Sequence, residues 1–279
     1  LGRTPANIDL KNSLQYLRGK RVLITGAGGS IGSELARQLL SGGAERIYLF
    51  GHGENSVFEI DSELRLLQEE GVGERARIVP VIGELKDRDY TGFILKRLKA
   101  DVVFHTAAFK HVPMMEANPV AAVATNAFAT LNLLQPSEYA VVERLVLMST
   151  DKAGEPSSVY GASKLIAERL ALEWPRTAMA TMVVRFGNVL GSRGSILPLF
   201  GRQIAKGGPV TVTDPDATRF FMTIPEAVSL VLEVGGVGRD RQLYVLDMGE
   251  PVNIRDLAEQ MIRFYGHEPE LDIPIVHTG

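Results

Sequence analysis

The chain has 279 residues, a formal net charge of −3, and 45% hydrophobic against 23% charged residues. This is ordinary soluble globular composition, and the charge offers no electrostatic case for a nucleic acid partner or an anionic membrane surface. The absence of Cys excludes disulfides, thiolate catalysis and Cys-ligated zinc and fits a reducing cytoplasm, while the five scattered His show no metal-ligand spacing, so no metal is expected.

Taken in order, Arg21–Thr25 reads as a buried parallel strand, followed by glycines and a helix with the apolar stripe Ile31, Leu35, Leu39 and Leu40. Arg46–Phe50 is a second strand, and Val57, Ile60, Leu64 and Leu67 give the next helix its face. Strands at Arg77–Ile82 and Asp101–His105 bracket a helix over Asp87–Leu98. A helix over Pro119–Leu134 leads into the strand Arg144–Met148, then a helix carrying Tyr160 and Lys164, then the strand Thr181–Phe186. This alternation predicts an α/β fold, a doubly wound parallel sheet. After Gly187 glycine and proline become frequent, and helices over Pro225–Val234 and Ile254–Tyr265 flank one more strand, Leu243–Leu246. The expected organisation is a lead-in over 1–20, a dinucleotide-binding domain over 21–186, and a smaller substrate-binding lobe over 187–279, interleaved with the sheet and set at its carboxyl edge, where such folds bind ligands. No apolar run reaches the roughly 18 residues of a membrane helix, and no signal peptide is visible.

Between the first strand and first helix stands Thr25-Gly26-Ala27-Gly28-Gly29-Ser30-Ile31-Gly32. Glycines at 26, 29 and 32 give the three-residue spacing of the short-chain dehydrogenase variant of the dinucleotide turn; position 31 is Ile, so the GxGxxG form does not fit. The turn permits close backbone approach to pyrophosphate at a helix N-terminus, with Gly26, Gly29, Ser30, Ile31 and Gly32 as contacts. The second strand ends in Phe50-Gly51-His52-Gly53-Glu54-Asn55, with no acid at its tip to take a ribose 2′-hydroxyl. That favours NADP, with NAD the alternative, and makes His52 and Asn55 candidate ribose or phosphate contacts. Glu84 and Leu85 follow the third strand, where adenine is expected. His105 at a buried strand end reads as structural.

The densest chemistry lies in Ser149-Thr150-Asp151-Lys152 and Tyr160-Gly161-Ala162-Ser163-Lys164. A Tyr and a Lys four residues apart share one helix face, and the ammonium is expected to pull the phenol down from about 10. That pair serves alcohol oxidation. Asp151 and Lys152 add an acid and a base that oxidation alone does not need. Oxidising a sugar at C4 acidifies the C5 hydrogen; a base then removes it, water leaves C6 with help from an acid, and the stored hydride returns to C6. Lys152 suits the base if its pKa is lowered towards neutrality, and Asp151 the acid if its own is raised.

The blocks TGAGGSIGSEL, HTAAFKHVPMMEANP, STDKA with PSSVYGASK, RFGNVLGSRGSILPLF and TRFFMTIPEA occur in this order. Over nearly its whole length the chain thereby resembles the UDP-N-acetylglucosamine 4,6-dehydratases, extended short-chain dehydrogenases of bacterial polysaccharide biosynthesis. The resemblance implies that Tyr160 is the C4 base, that Lys164 binds nicotinamide ribose, and that Thr150 bonds the sugar 4-hydroxyl or the Tyr. It makes Lys152 the C5 base and Asp151 the acid at C6. It sets Thr106, Ala107, Ala108, Lys110 and Asn126 beside the cofactor, with Lys110 and His111 also lining the sugar site. Asn188, Ser195 and Arg219 would hold the UDP-sugar, Arg219 on phosphate. Lys152, where dTDP-glucose 4,6-dehydratases carry Glu, points to the UDP-N-acetylglucosamine branch. The family continues into an Arg-Pro-Gly-Glu-Lys segment beyond His277-Thr278-Gly279, and Leu1-Gly2-Arg3-Thr4-Pro5 resembles a junction after membrane helices. A homo-oligomer is implied, and so is a cytoplasmic location, with a tether to the inner membrane through a preceding segment as one form of it. A 4-epimerase or 4-reductase would use Tyr160 and Lys164 but not Lys152, and a non-catalytic nucleotide-binding scaffold would need neither.

Overall fold

The computed structural model describes residues 14–278 apart from Arg176 and Arg193. The Leu1–Pro5 stretch lies outside the described residues. Two compact units are present, the larger running to Phe186 and including Pro225–Leu246, the smaller made of Gly187–Ile224 and the chain from Asp247 onward. Among the described residues no helix is long and apolar enough to cross a membrane.

In the larger unit a 3-10 turn at Gln15–Leu17 precedes β1 (Arg21–Thr25), α1 (Ser30–Ser41), β2 (Arg46–Gly51), α2 (Glu54–Glu69), β3 (Arg77–Ile82), α3 (Arg88–Leu98) and β4 (Val102–His105). Then come α4 (Val112–Ala117), α5 (Pro119–Val123), a π-turn (Ala124–Phe128), α6 (Ala129–Tyr139), β5 (Arg144–Thr150), a 3-10 turn (Asp151–Ala153), α7 (Val159–Leu172) and β6 (Ala180–Phe186). The chain next enters the smaller unit with β7 (Asn188–Leu190), α8 (Ile196–Ala205), β8 (Val210–Val212), β9 (Thr218–Arg219) and β10 (Phe221–Thr223). It returns to the larger unit through α9 (Ile224–Val237) and β11 (Gln242–Val245), and finishes in the smaller one with β12 (Val252–Asn253), α10 (Ile254–Phe264) and β13 (Ile275–His277).

The large sheet has seven strands in the order β11-β6-β5-β4-β1-β2-β3, all parallel. The expected doubly wound α/β architecture is therefore present. Its central strands are apolar runs because helices cover both faces; Val22, Leu23, Ile24, Val103, Phe104, Leu145, Val146 and Leu147 are all buried. The order reverses between β1 and β4, and ligands bind beyond the carboxyl ends of strands at such a switch point. Arg21 clamps the opposite, amino-terminal edge, donating to both carboxylate oxygens of Asp101 at 3.1 and 2.7 Å.

Two segments depart from the sequence reading. The continuous helix expected over Pro119–Leu134 is broken by the π-turn, whose Asn126 bonds outwards to a neighbouring loop and helix. The helix and strand over 224–245, read as part of the smaller lobe, belong from Pro225 onward to the larger unit, because β11 extends the large sheet by pairing with β6. In the smaller unit Phe200, Ile204, Val210, Val212, Phe221, Ile254, Ala258 and Ile262 form a separate apolar core, and β13 pairs with β8.

Candidate active site

The cofactor turn is built as the glycine spacing requires. Gly26 has φ +70, and a Cβ there would lie 2.8 Å from Ala107 Cα. A Cβ on Gly32 would overlap the carbonyl oxygen of Gly26, so only glycine lets the first turn of α1 sit this close to β1. Gly29 caps α1, its N–H bonded to Gly26 O at 2.9 Å, and Ser30 and Ile31 open the helix half-buried. Thr106 locks the β4 loop beside the turn, its hydroxyl donating to Thr25 O at 2.7 Å. Ala107 and Ala108 follow, both half-buried. Small residues, a bare backbone and a helix N-terminus make a cradle that fits a dinucleotide pyrophosphate. At the β2 tip His52 and Asn55 are exposed. Glu84 is half-buried, and Leu85 is buried with its carbonyl held by Asn132 Nδ2 at 3.0 Å. Asn132 gave no signal in the sequence, since its role depends on a loop far along the chain.

Behind the cradle runs a buried hydrogen-bond chain. Thr130 Oγ1 donates to Asn126 O at 2.7 Å and so accepts from His105 Nε2 at 3.0 Å; His105 Nδ1 then accepts from Thr25 Oγ1 at 2.7 Å. Burial foremost, with the charge of Lys164 second, pushes His105 down to about 3, so it is a neutral structural imidazole. The Asn126 side chain accepts from Phe109 N at 2.8 Å and donates to Phe109 O at 3.0 Å and Ser163 Oγ at 2.9 Å. It thus ties the β4 loop to the helix bearing Tyr160. Lys110 and His111, next on that loop, are exposed, and partial desolvation lowers the Lys110 ammonium.

β5 ends in Thr150, and the chain turns at once through Asp151 and Lys152. Thr150 Oγ1 donates to Asp151 Oδ1 at 2.9 Å, and Lys152 Nζ lies 3.0 Å from the same oxygen. Both charged groups are partly open to solvent, at 39% and 34% side-chain exposure. Ser158 then caps α7 by accepting from Gly161 N at 3.1 Å, and Glu116 accepts from Val159 N at 2.7 Å. Tyr160 and Lys164 lie on the buried face of α7. Lys164 Nζ donates to Met148 O at 2.8 Å, and burial lowers it to about 8 against an opposing pull from Glu168. Burial raises the Tyr160 phenol; a hydrogen bond with Thr150 lowers it and the Asp151 charge raises it further. This is opposite in sign to the lowering expected from the Tyr–Lys spacing, because desolvation outweighs the other influences.

The larger unit therefore gathers Thr150, Asp151, Lys152, Tyr160 and Lys164 around the end of β5. Asn188, Ser195 and Arg219 belong to the smaller unit. There Asn188 opens β7, half-buried; Ser195 stands at the N-cap of α8 with a buried, unbonded hydroxyl; Arg219 is exposed on β9.

The model of a family described as polysaccharide biosynthesis protein matches residues 22–279. The chain belongs to this family. Its relatives include the probable polysaccharide biosynthesis protein EpsC of Bacillus subtilis, 46% identical over all of this chain and 46% of EpsC, so the chain spans about half of that protein's length. Among solved structures, Pen from Bacillus thuringiensis is 34% identical with a TM-score of 0.83, covering 95% of this chain and 78% of Pen. The dTDP-glucose 4,6-dehydratase DesIV from Streptomyces venezuelae, determined with NAD and TYD bound, is 25% identical with a TM-score of 0.79, covering 93% of this chain and 85% of DesIV.

Proposed function

We propose that the protein is a sugar-nucleotide 4,6-dehydratase that converts UDP-N-acetylglucosamine to a UDP-4-keto-6-deoxy sugar for polysaccharide synthesis, using NADP or NAD. The observation that carries this reading is the Lys152–Asp151 contact at 3.0 Å, joined through Thr150 to the Tyr160 phenol. Lys152 and Asp151 thus offer, on one short turn, the base and the acid that an elimination needs and a simple oxidation does not.

A nicotinamide cofactor, which Gly26, Gly29 and Gly32 would hold at the glycine turn, would supply the hydride acceptor for C4 and donor for C6. The chain's own residues move the protons. Tyr160 Oη receives the 4-hydroxyl proton as its own phenolic proton passes through Thr150 Oγ1 to Asp151 Oδ1, the proton that later leaves with the C6 oxygen. Lys164 supplies a buried positive charge one turn along α7 from Tyr160, and its pKa near 8 keeps it mostly protonated at neutral pH. Lys152 Nζ removes the C5 proton, the C6–O bond breaks, and Asp151 gives its proton so that water leaves. Lys152 then returns a proton to C5. The sum is loss of one water with no net redox change.

The test is incubation with UDP-N-acetylglucosamine in deuterated water, followed by mass spectrometry and NMR. The expected product has lost one water and carries deuterium at C5. Reduced nicotinamide accumulating in step with sugar consumed would overturn the proposal. A Lys152→Ala variant with undiminished turnover would favour epimerisation or reduction at C4.

A further inference from the structure

Within the turn that carries Asp151 and Lys152, Lys152 N donates to Thr150 Oγ1 at 3.4 Å and Gly154 N to Asp151 O at 3.1 Å. A further support comes from another strand. Arg185 on β6 donates through Nη2 to Ala153 O at 3.3 Å. The same guanidinium is gripped by Glu168 of α7, Nε to Oε1 at 2.7 Å and Nη2 to Oε2. Glu168 is buried, and its Oε1 also accepts from Ser149 Oγ, two residues before Asp151. One carboxylate thus joins β5, β6 and α7, and its arginine reaches the acid–base turn.

The packing agrees. A Cβ on Gly154 would stand 3.3 Å from Asp151 O and 3.4 Å from Arg185 Nη1, so the guanidinium lies directly against the turn. On another side, a Cβ on Gly161 would overlap Lys152 O, so the start of α7 presses on the same turn. A buried ion pair adds little net stability compared with apolar residues of the same shape. What it supplies here is a fixed donor geometry under a short, irregular segment.

We propose that Arg185, held by Glu168, is a positioning residue that fixes the Asp151–Lys152 turn relative to Tyr160 and so governs the elimination step more than the C4 oxidation. The proposal rests on the dehydratase reading above. Oxidation uses Tyr160 and Lys164, both on α7 and both independent of the Ala153 contact. Elimination needs Lys152 Nζ at C5 and Asp151 at C6, and a displacement of about 1 Å in such groups lowers a rate on the order of 100-fold.

The experiment compares native protein with Arg185→Met, loaded with nicotinamide cofactor, in single turnover with UDP-N-acetylglucosamine. Oxidation, read as reduced nicotinamide formed, is expected within a few-fold of native. Water loss, read by mass spectrometry, is expected to fall on the order of 100-fold, so that reduced cofactor and the 4-keto sugar build up. Gly154→Ala, which leaves the buried pair intact, is expected to give the same selective loss in milder form, and it carries the test if Arg185→Met does not fold. A second readout needs no sugar chemistry: amide hydrogen exchange over 151–154 in the cofactor-loaded protein is expected to quicken in either variant while α7 and β6 stay protected. Equal slowing of both steps, slowing of neither, or unchanged exchange at the turn overturns the positioning role. Native protein that releases no water overturns the dehydratase reading instead, and the exchange measurement then still decides whether Arg185 holds the turn.

Discussion

Lys164 offers a direct test of how this site is built. Its ammonium is buried, and its pKa falls from the ordinary 10.5 to about 8. At about 1.4 kcal/mol for each tenfold, that gap means the folded protein carries roughly 3 kcal/mol of destabilisation whenever Lys164 is charged. Below pH 8 the group is protonated both folded and unfolded, so the penalty is fully present. Between about 8 and 10.5 the unfolded chain binds the extra proton, so stability contributed by this residue rises with pH across that window. Replacing Lys164 with Met removes the charge and the bond to Met148 O, the latter worth about 1 kcal/mol. The variant is therefore expected to be inactive yet roughly 2 kcal/mol more stable at pH 7, an advantage that shrinks as the pH approaches 10. Urea unfolding of both proteins at pH 7, 8, 9 and 10 checks this, the difference between the two curves cancelling groups that titrate alike in both. Parallel curves, or a variant less stable at pH 7, would refute the reasoning.

Other outcomes follow from the same geometry. Gly32→Ala forces a methyl group into Gly26 O and is expected to weaken cofactor binding at least tenfold, measured by titration calorimetry. Asn126→Ala strands the Phe109 backbone groups and Ser163 and is expected to cost roughly 2–4 kcal/mol in urea unfolding, with slower turnover as the loop and α7 uncouple. His105 is buried neutral, with its pKa near 3 against an ordinary 6.5. Its contribution is complete above pH 6.5 and is lost as the pH falls towards 3, so a His105→Gln variant should show a shallower acid loss of stability than the native protein.

The sheet was legible because its strands are short apolar runs between turn residues, and a strand buried on both faces needs little else to declare itself. The glycine turn was legible for a related reason: its glycines answer to the positive φ at 26 and to the nearby Gly26 carbonyl at 32. The π-turn was not, since nothing in Ala124-Thr-Asn-Ala-Phe128 differs from helix-forming sequence, and the widened turn is held by bonds from Asn126 to residues 17 and 37 positions away. Membership of 225–246 in the larger unit was hidden likewise, because periodicity says that a segment is a strand but not which strand it joins. Around the reacting groups, Tyr160, Lys164, Asp151 and Lys152 stood out by residue type and spacing. Glu168, one turn beyond Lys164, and its partner Arg185 carried no signal in the sequence, because only the fold brings β6 and α7 together. The sign of the Tyr160 shift was missed because spacing reveals a neighbouring charge and does not reveal burial.

The division of the chain also bears on how the protein comes to be folded. The smaller unit is assembled from two stretches separated by residues that belong to the larger one, and its β8 finds its partner, β13, only at Ile275–His277. During synthesis the large sheet can close once β11 has emerged, whereas residues 187–224 must wait with an unfinished core until Ile275–His277 have emerged as well. Removing Ile275–His277 would therefore leave the larger unit whole and the smaller one short of a strand. The smaller unit cannot be excised as a single contiguous piece, because its halves are joined only through the larger one.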